Sequence, residues 1–150
     1  MVIKYNYMAK IALISCCKTK APVKDPDTIE AKSLYQSPLF KKSLRYAKEK
    51  IEADRIFILS AKHCLLNLDD QISEYNTTLN GKSTSAIKSW SSGVRQQLMK
   101  AGVDFKNDEI FILAGKNYYK FLITDEFANV RYPYQNMRIG EILHFLNEQF

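Results

Sequence analysis

Residues 55–75 read RIFILSAKHCLLNLDDQISEY, and this stretch decides the fold. Ile56 to Leu59 is a short apolar run rich in β-branched and aromatic side chains, which reads as a buried strand. Immediately beyond it Ser60, Lys62, His63, Asp69, Asp70 and Tyr75 crowd together. A buried strand whose C-terminal end opens into acid, base, hydroxyl and phenol groups is where an α/β protein places a ligand. The same pattern occurs twice more. Lys10 to Ser15 opens into Cys16, Cys17 and Lys18, and Glu109 to Leu113 opens into Ala114, Gly115, Lys116, Asn117 and Tyr118. If the three strands are parallel neighbours, the three polar clusters meet at one edge of the sheet.

The remaining chain fits this frame. The core of the first strand, Ile11-Ala12-Leu13-Ile14, is continuous rather than alternating, as expected for a strand covered on both faces. Lys18 to Asp27 reads as a loop broken by Pro22 and Pro26, and Thr28 to Tyr35 as a short helix. Ser37-Pro38 is a cap followed by proline at the first helical position, and the apolar spacing predicts a helix from Pro38 to Ile51. Lys62 to Leu79 is read as a polar loop with apolar anchors. Ser83 to Ala101 carries Ile87, Trp90, Val94, Leu98 and Ala101 at helical spacing, with Gly93 inside it as a mark of close packing. Asn117 is expected to cap a short helix reaching Leu122, Phe127 to Tyr132 to form a fourth strand, and Ile139 to Leu146 to form a closing helix. The order predicts an α/β, three-layer sandwich with an open, mostly parallel sheet of about four strands. A length of 150 residues fits one domain, with residues 1–9 as a flexible lead-in.

Composition narrows the class. The chain is 46% hydrophobic and 25% charged, ordinary for a globular protein. No apolar run approaches the roughly 18 residues of a membrane span, and Ile11 to Cys17 is no secretory signal, so a cytoplasmic location is expected. Three cysteines, two of them adjacent, argue against a disulfide framework and for a reducing compartment. Cys16, Cys17, Cys64, His63 and His144 are zinc ligands by type, but adjacent cysteines lack the gap of a zinc knuckle, so neither a metal nor another cofactor is expected. Net charge is +6 and uneven: residues 1–62 hold 13 Lys and Arg against 6 Asp and Glu, residues 63–150 hold 9 against 10. A basic half points either to a solvated helix face, Lys41 to Lys50, or to a polyanion such as nucleic acid.

The three clusters supply recognisable chemistry. Lys18 and Lys62 offer positive charge, and the backbone from Gly115 to Asn117 offers amides for an anion. Tyr35, Tyr75 and Tyr118 offer flat rings or hydroxyl donors, unless they serve the core. Asp70, of the adjacent pair Asp69-Asp70, is a candidate general base, unless the pair caps a turn. His63 is a candidate proton shuttle. Cations, aromatic walls and a carboxylate suit a phosphate-linked nucleobase. There is no Walker loop, nucleophile elbow or His-Glu-x-x-His.

The ordered set Ile14-Ser15-Cys16-Cys17-Lys18-Thr19, Leu34-Tyr35, Leu59-Ser60-Ala61-Lys62-His63, Leu66 to Asp70 with Tyr75, and Leu113-Ala114 with Tyr118 resembles the YaaA-like family, most closely its short bacterial and phage members. Those members usually carry glycine where this chain has Cys64, and proline where it has Glu74. The resemblance covers residues 10–122. It implies a fold distantly similar to uracil-DNA glycosylases and a DNA-directed or peroxide-stress role. Its residues of interest fall on Ser15, Lys18, Tyr35, Ser60, Asp70, Tyr75 and Tyr118. The expectation is a nucleic-acid-acting protein, with N-glycosidic cleavage as the natural reaction. A non-catalytic DNA-binding or stress-response module and an enzyme acting on free nucleosides or nucleotides are the alternatives.

Overall fold

The computed structural model describes residues 8–150. A five-stranded sheet forms its centre. We label the strands β1 (Lys10–Ser15), β2 (Ile29–Glu30), β3 (Arg55–Ser60), β4 (Cys64–Asn67), β5 (Gln71–Ile72), β6 (Glu109–Leu113) and β7 (Val130–Arg131). The helices are α1 (Ala31–Leu34), α2 (Pro38–Tyr46, continued by a π-helical turn over Ala47–Ile51), α3 (Thr84–Lys100), α4 (Lys116–Tyr119) and α5 (Ile139–Glu148). The sheet order is β4-β3-β1-β6-β7, while β2 and β5 pair separately as a short antiparallel ladder. β3, β1, β6 and β7 are parallel, and β4 is the one antiparallel member.

Side chains alternate strictly between the two faces of the sheet. Ile11, Leu13, Phe57, Leu59, Ile110 and Ile112 pack with Trp90, Val94 and Leu98 of α3. Ala12, Ile14, Ile58 and Leu113 pack with Phe40 and Ala47 of the α2 segment and with Ile142 and Leu146 of α5. Both faces are covered, so the inner strands read as unbroken apolar runs. The caps fall where the sequence puts them: Ser37 Oγ accepts from Phe40 N at 3.1 Å and Ser83 Oγ from Ala86 N at 3.1 Å.

Four expectations are corrected. The stretch after Ser60 is not all loop, because Cys64–Asn67 returns antiparallel on β3. The three-residue connection Ala61-Lys62-His63 then needs a left-handed residue at its end, and Cys64 takes that conformation at φ 64°. This is the position where the YaaA-like pattern has glycine. The expected helix over Thr28–Tyr35 is a two-residue strand followed by one helical turn. The expected strand over Phe127–Tyr132 pairs only at Val130–Arg131. The short helix after β6 is capped by Gly115 rather than Asn117. Of the expected flexible lead-in, residues 1–7 lie outside the described residues. Ala9 is held, because its N–H donates to Asp108 Oδ1 at 3.1 Å and its carbonyl accepts from Glu109 N at 2.9 Å.

Candidate functional site

The strand order reverses at β1. β3 lies on one side of it and β6 on the other, with α2 and α3 on opposite faces. In an open α/β sheet the connections diverge at such a point and leave a crevice beyond the strand ends. A cavity of about 560 Å³ lies here, lined by Cys16, Cys17, Lys18, Lys20 and Tyr118, by the polar loop 76–80 and by Ile139. Its volume is that of an ordinary small-ligand pocket.

Each lining side chain is set by local structure. Cys16 N donates to Leu59 O at 2.9 Å, carrying the β1–β3 ladder one residue past the strand. The chain then pairs with the segment after α1: Ala21 N donates to Leu34 O at 2.8 Å and Gln36 N to Thr19 O at 2.9 Å, around an antiparallel bridge between Lys20 and Tyr35. That bridge brings the Lys20 ammonium 4.4 Å from the ring centroid of Tyr75 and 5.9 Å from that of Tyr35. Tyr118 leans its ring edge-on against Trp90, with centroids 5.8 Å apart, and its hydroxyl lies 3.4 Å from Cys16 Sγ.

Next to the cavity's Lys20 is a buried chain of hydroxyls. Tyr75 Oη lies 2.5 Å from Tyr35 Oη and 2.8 Å from Ser60 Oγ, and His63 N donates to Ser60 Oγ at 3.0 Å. Trp90 Nε1 donates to the Ser60 carbonyl at 2.9 Å. Proton donation from Ser60 to Tyr75 and on to Tyr35 gives each of the first two hydroxyls an acceptor. Burial pushes both phenols well above the usual tyrosine range, and Tyr118 likewise, there with help from Cys16. These phenols are therefore neutral donors, not bases. His63 packs edge-on against the Tyr75 ring at 5.4 Å, and its pKa is lowered by burial and then by Lys62, with Asp70 pulling the other way.

The residues expected to form one site divide. Lys18 and Tyr118 line the cavity. Tyr35, Ser60, Tyr75 and His63 form the adjoining network, and Lys62 reaches it from outside, its ammonium 5.9 Å from the Tyr75 centroid. Ser15 is half-buried at the end of β1. Asp70 is not at the cavity: its Oδ2 accepts from Asn67 N at 2.8 Å and closes the turn between β4 and β5. Lys116 lines a different cavity, and the exposed Asn117 lines neither. α4 is a single four-residue turn, too short to serve as an anion-binding helix end. The zinc-type side chains form no ligand set: among the described residues no group of three or more His, Cys, Asp or Glu could hold a metal ion.

Lys20, Trp90 and the 76–80 loop are the residues that sequence reasoning missed. Trp90 reads as a helix core position, and its indole N–H is invisible to periodicity. Lys20 had a signal, because Lys18 and Lys20 flank Thr19 in an extended segment and so share a side.

A family model matches residues 11–148, the Family of unknown function (DUF6884). The chain belongs to DUF6884. No curated protein and no solved structure matches it. The match runs from the first core residue of β1 to the end of α5, so it takes in the whole sheet, the cavity and the hydroxyl network. Every candidate site residue of this DUF6884 chain, from Ser15 to Ile139, falls within the match.

Proposed function

We propose that this protein is nucleic-acid-directed and holds one nucleotide unit in the cavity beyond β1. The observation that carries the reading is the pairing of Lys18 and Lys20 with the Tyr118 ring around one 560 Å³ cavity at the switch point of the sheet. Two ammonium groups suit a phosphate and a flat ring suits a base. Asn76, Thr77, Thr78 and Asn80 add uncharged donors and acceptors. The YaaA-like resemblance points the same way, and such a role belongs in the cytoplasm.

Binding is favoured over glycosidic cleavage. A glycosylase of this kind needs a carboxylate to steady the sugar cation or orient water. None of the described residues lining the cavity is a carboxylate, and Asp70 is occupied in its turn. The test is retention on single-stranded and duplex oligonucleotides at low salt. Wild type and Asp70→Asn should bind alike, and Lys18→Ala combined with Lys20→Ala should weaken binding. Failure of the wild-type protein to bind any oligonucleotide, DNA or RNA, would sink the reading. Abasic product that disappears in Asp70→Asn would restore the enzymatic alternative.

A further inference from the structure

A second cavity, of about 240 Å³, lies beyond β6. It is lined by Lys116 and Tyr119 of α4, by Tyr132, and by Gln135, Asn136 and Met137. No residue lines both cavities, but residues close in sequence line one or the other. Tyr118 lines the first while its neighbour Tyr119 lines the second, and Ile139 lines the first while Met137 lines the second. One turn of helix and one short segment therefore separate them, a span of a few residues.

The second cavity has the makings of a base subsite. Tyr119 and Tyr132 bring their rings together with centroids 5.0 Å apart and planes at 49°. Burial raises the Tyr132 phenol, with Tyr119 adding to it, so the ring stays neutral. Gln135 and Asn136 carry carboxamides, which can both donate to and accept from a base edge. Asn136 is held in a left-handed conformation at φ 62°. Lys116 supplies an ammonium to the lining. The volume is below the roughly 300–1,000 Å³ of a pocket for a whole drug-sized ligand, and suits a single flat ring.

We infer that the two cavities are successive subsites for a single strand, with the α4 turn as the divider between two neighbouring bases. The ligand is then an unpaired stretch of at least two nucleotides, because paired bases cannot enter separate pockets on either side of a wall. This rests on the first cavity holding a nucleotide, and the experiment separates the two ideas.

Affinity is measured by calorimetry for a mononucleotide, the matching 5′-phosphorylated dinucleotide, and a duplex of the same sequence. Stacking of one more base is worth roughly 1–3 kcal/mol, so the dinucleotide should bind about 5- to 150-fold more tightly than the mononucleotide. Tyr119→Ala, and separately Lys116→Ala at an exposed position that does not threaten folding, should shrink that ratio while leaving mononucleotide binding in place. The duplex should bind more weakly than the single strand. Mononucleotide binding with no gain from the second nucleotide, or a gain untouched by both variants, overturns this inference and leaves the first cavity's role standing. Absence of binding to mononucleotide and dinucleotide alike overturns both.

Discussion

Tyr75 joins more of the site than any other side chain. Its hydroxyl bonds two buried hydroxyls, and its ring receives Lys20, Lys62 and the edge of His63. Tyr75→Phe keeps the ring and deletes the shared hydroxyl, leaving Ser60 and Tyr35 short of a partner in a dry setting. The expected loss is about 1–3 kcal/mol in denaturant unfolding, with little change in the fold. His63 gives a pH signature. Its pKa is lowered in the folded protein from the ordinary 6.5, so the unfolded chain binds the proton more readily. Its contribution is present above about pH 6.5 and is lost as pH falls through the lower folded value. Between pH 7.5 and 5.5, His63→Gln should lose less stability than wild type, read as the shift in urea midpoint. Of this environment the sequence announces the residue types but not their partners, since Tyr35, Ser60 and Tyr75 come together only when three separate segments pack.

The β3–β4 hairpin shows what a non-glycine residue at a turn conceals. Cys64 adopts φ 64° with its thiol half-buried, and a Cβ built on Gly93 of α3 would stand 3.4 Å from that sulfur. A left-handed residue costs roughly 1–2 kcal/mol when it carries a Cβ, and a β-branched one is worse. Cys64→Val should therefore lower stability by at least about 1 kcal/mol, while Cys64→Gly should not lower it comparably, checked by thermal unfolding. Glycine at this position would have signalled the hairpin in the sequence. With cysteine there, Leu65 and Leu66 read as loop anchors, although they point to opposite faces of the sheet as strand neighbours do. The long helices were legible because caps and apolar spacing agree. β2 and β5 were not, because two-residue strands have no period to read, and β7 was legible as a strand but not in its length.

Charge is distributed over the whole molecule in a way that separates two kinds of basic residue. The cluster on α2 is largely engaged at the surface. Lys42 Nζ donates to Asn147 Oδ1 at 2.5 Å, and Arg45 pairs with Glu49 at 2.9 Å and lies 4.0 Å from the Phe150 ring centroid. Lys18 and Lys20 line the cavity, where the Lys20 ammonium also lies over the Tyr75 ring and donates to the Lys18 carbonyl at 3.4 Å. Neutralising Lys18 and Lys20 together should reduce the slope of log affinity against log salt by about 0.7 on single-stranded nucleic acid, the value for the one phosphate they are proposed to share. Neutralising Lys41, Lys42 and Arg45 should leave that slope nearly unchanged, and a result the other way round would move the binding face to α2. Among the described residues no helix is long and apolar enough to cross a membrane.

By itself the sequence determined the layered α/β class and the three inner strands, each with a polar cluster at its end. Those features follow from local apolar runs and caps, which need only near neighbours. Tertiary structure alone decided that β1 lies between β3 and β6 so that their ends are neighbours, that Lys20 outranks Lys62 at the cavity, and that Tyr118 and Tyr119 line two different hollows. Each of those outcomes depends on where distant segments pack against one another, and no spacing along a chain records that.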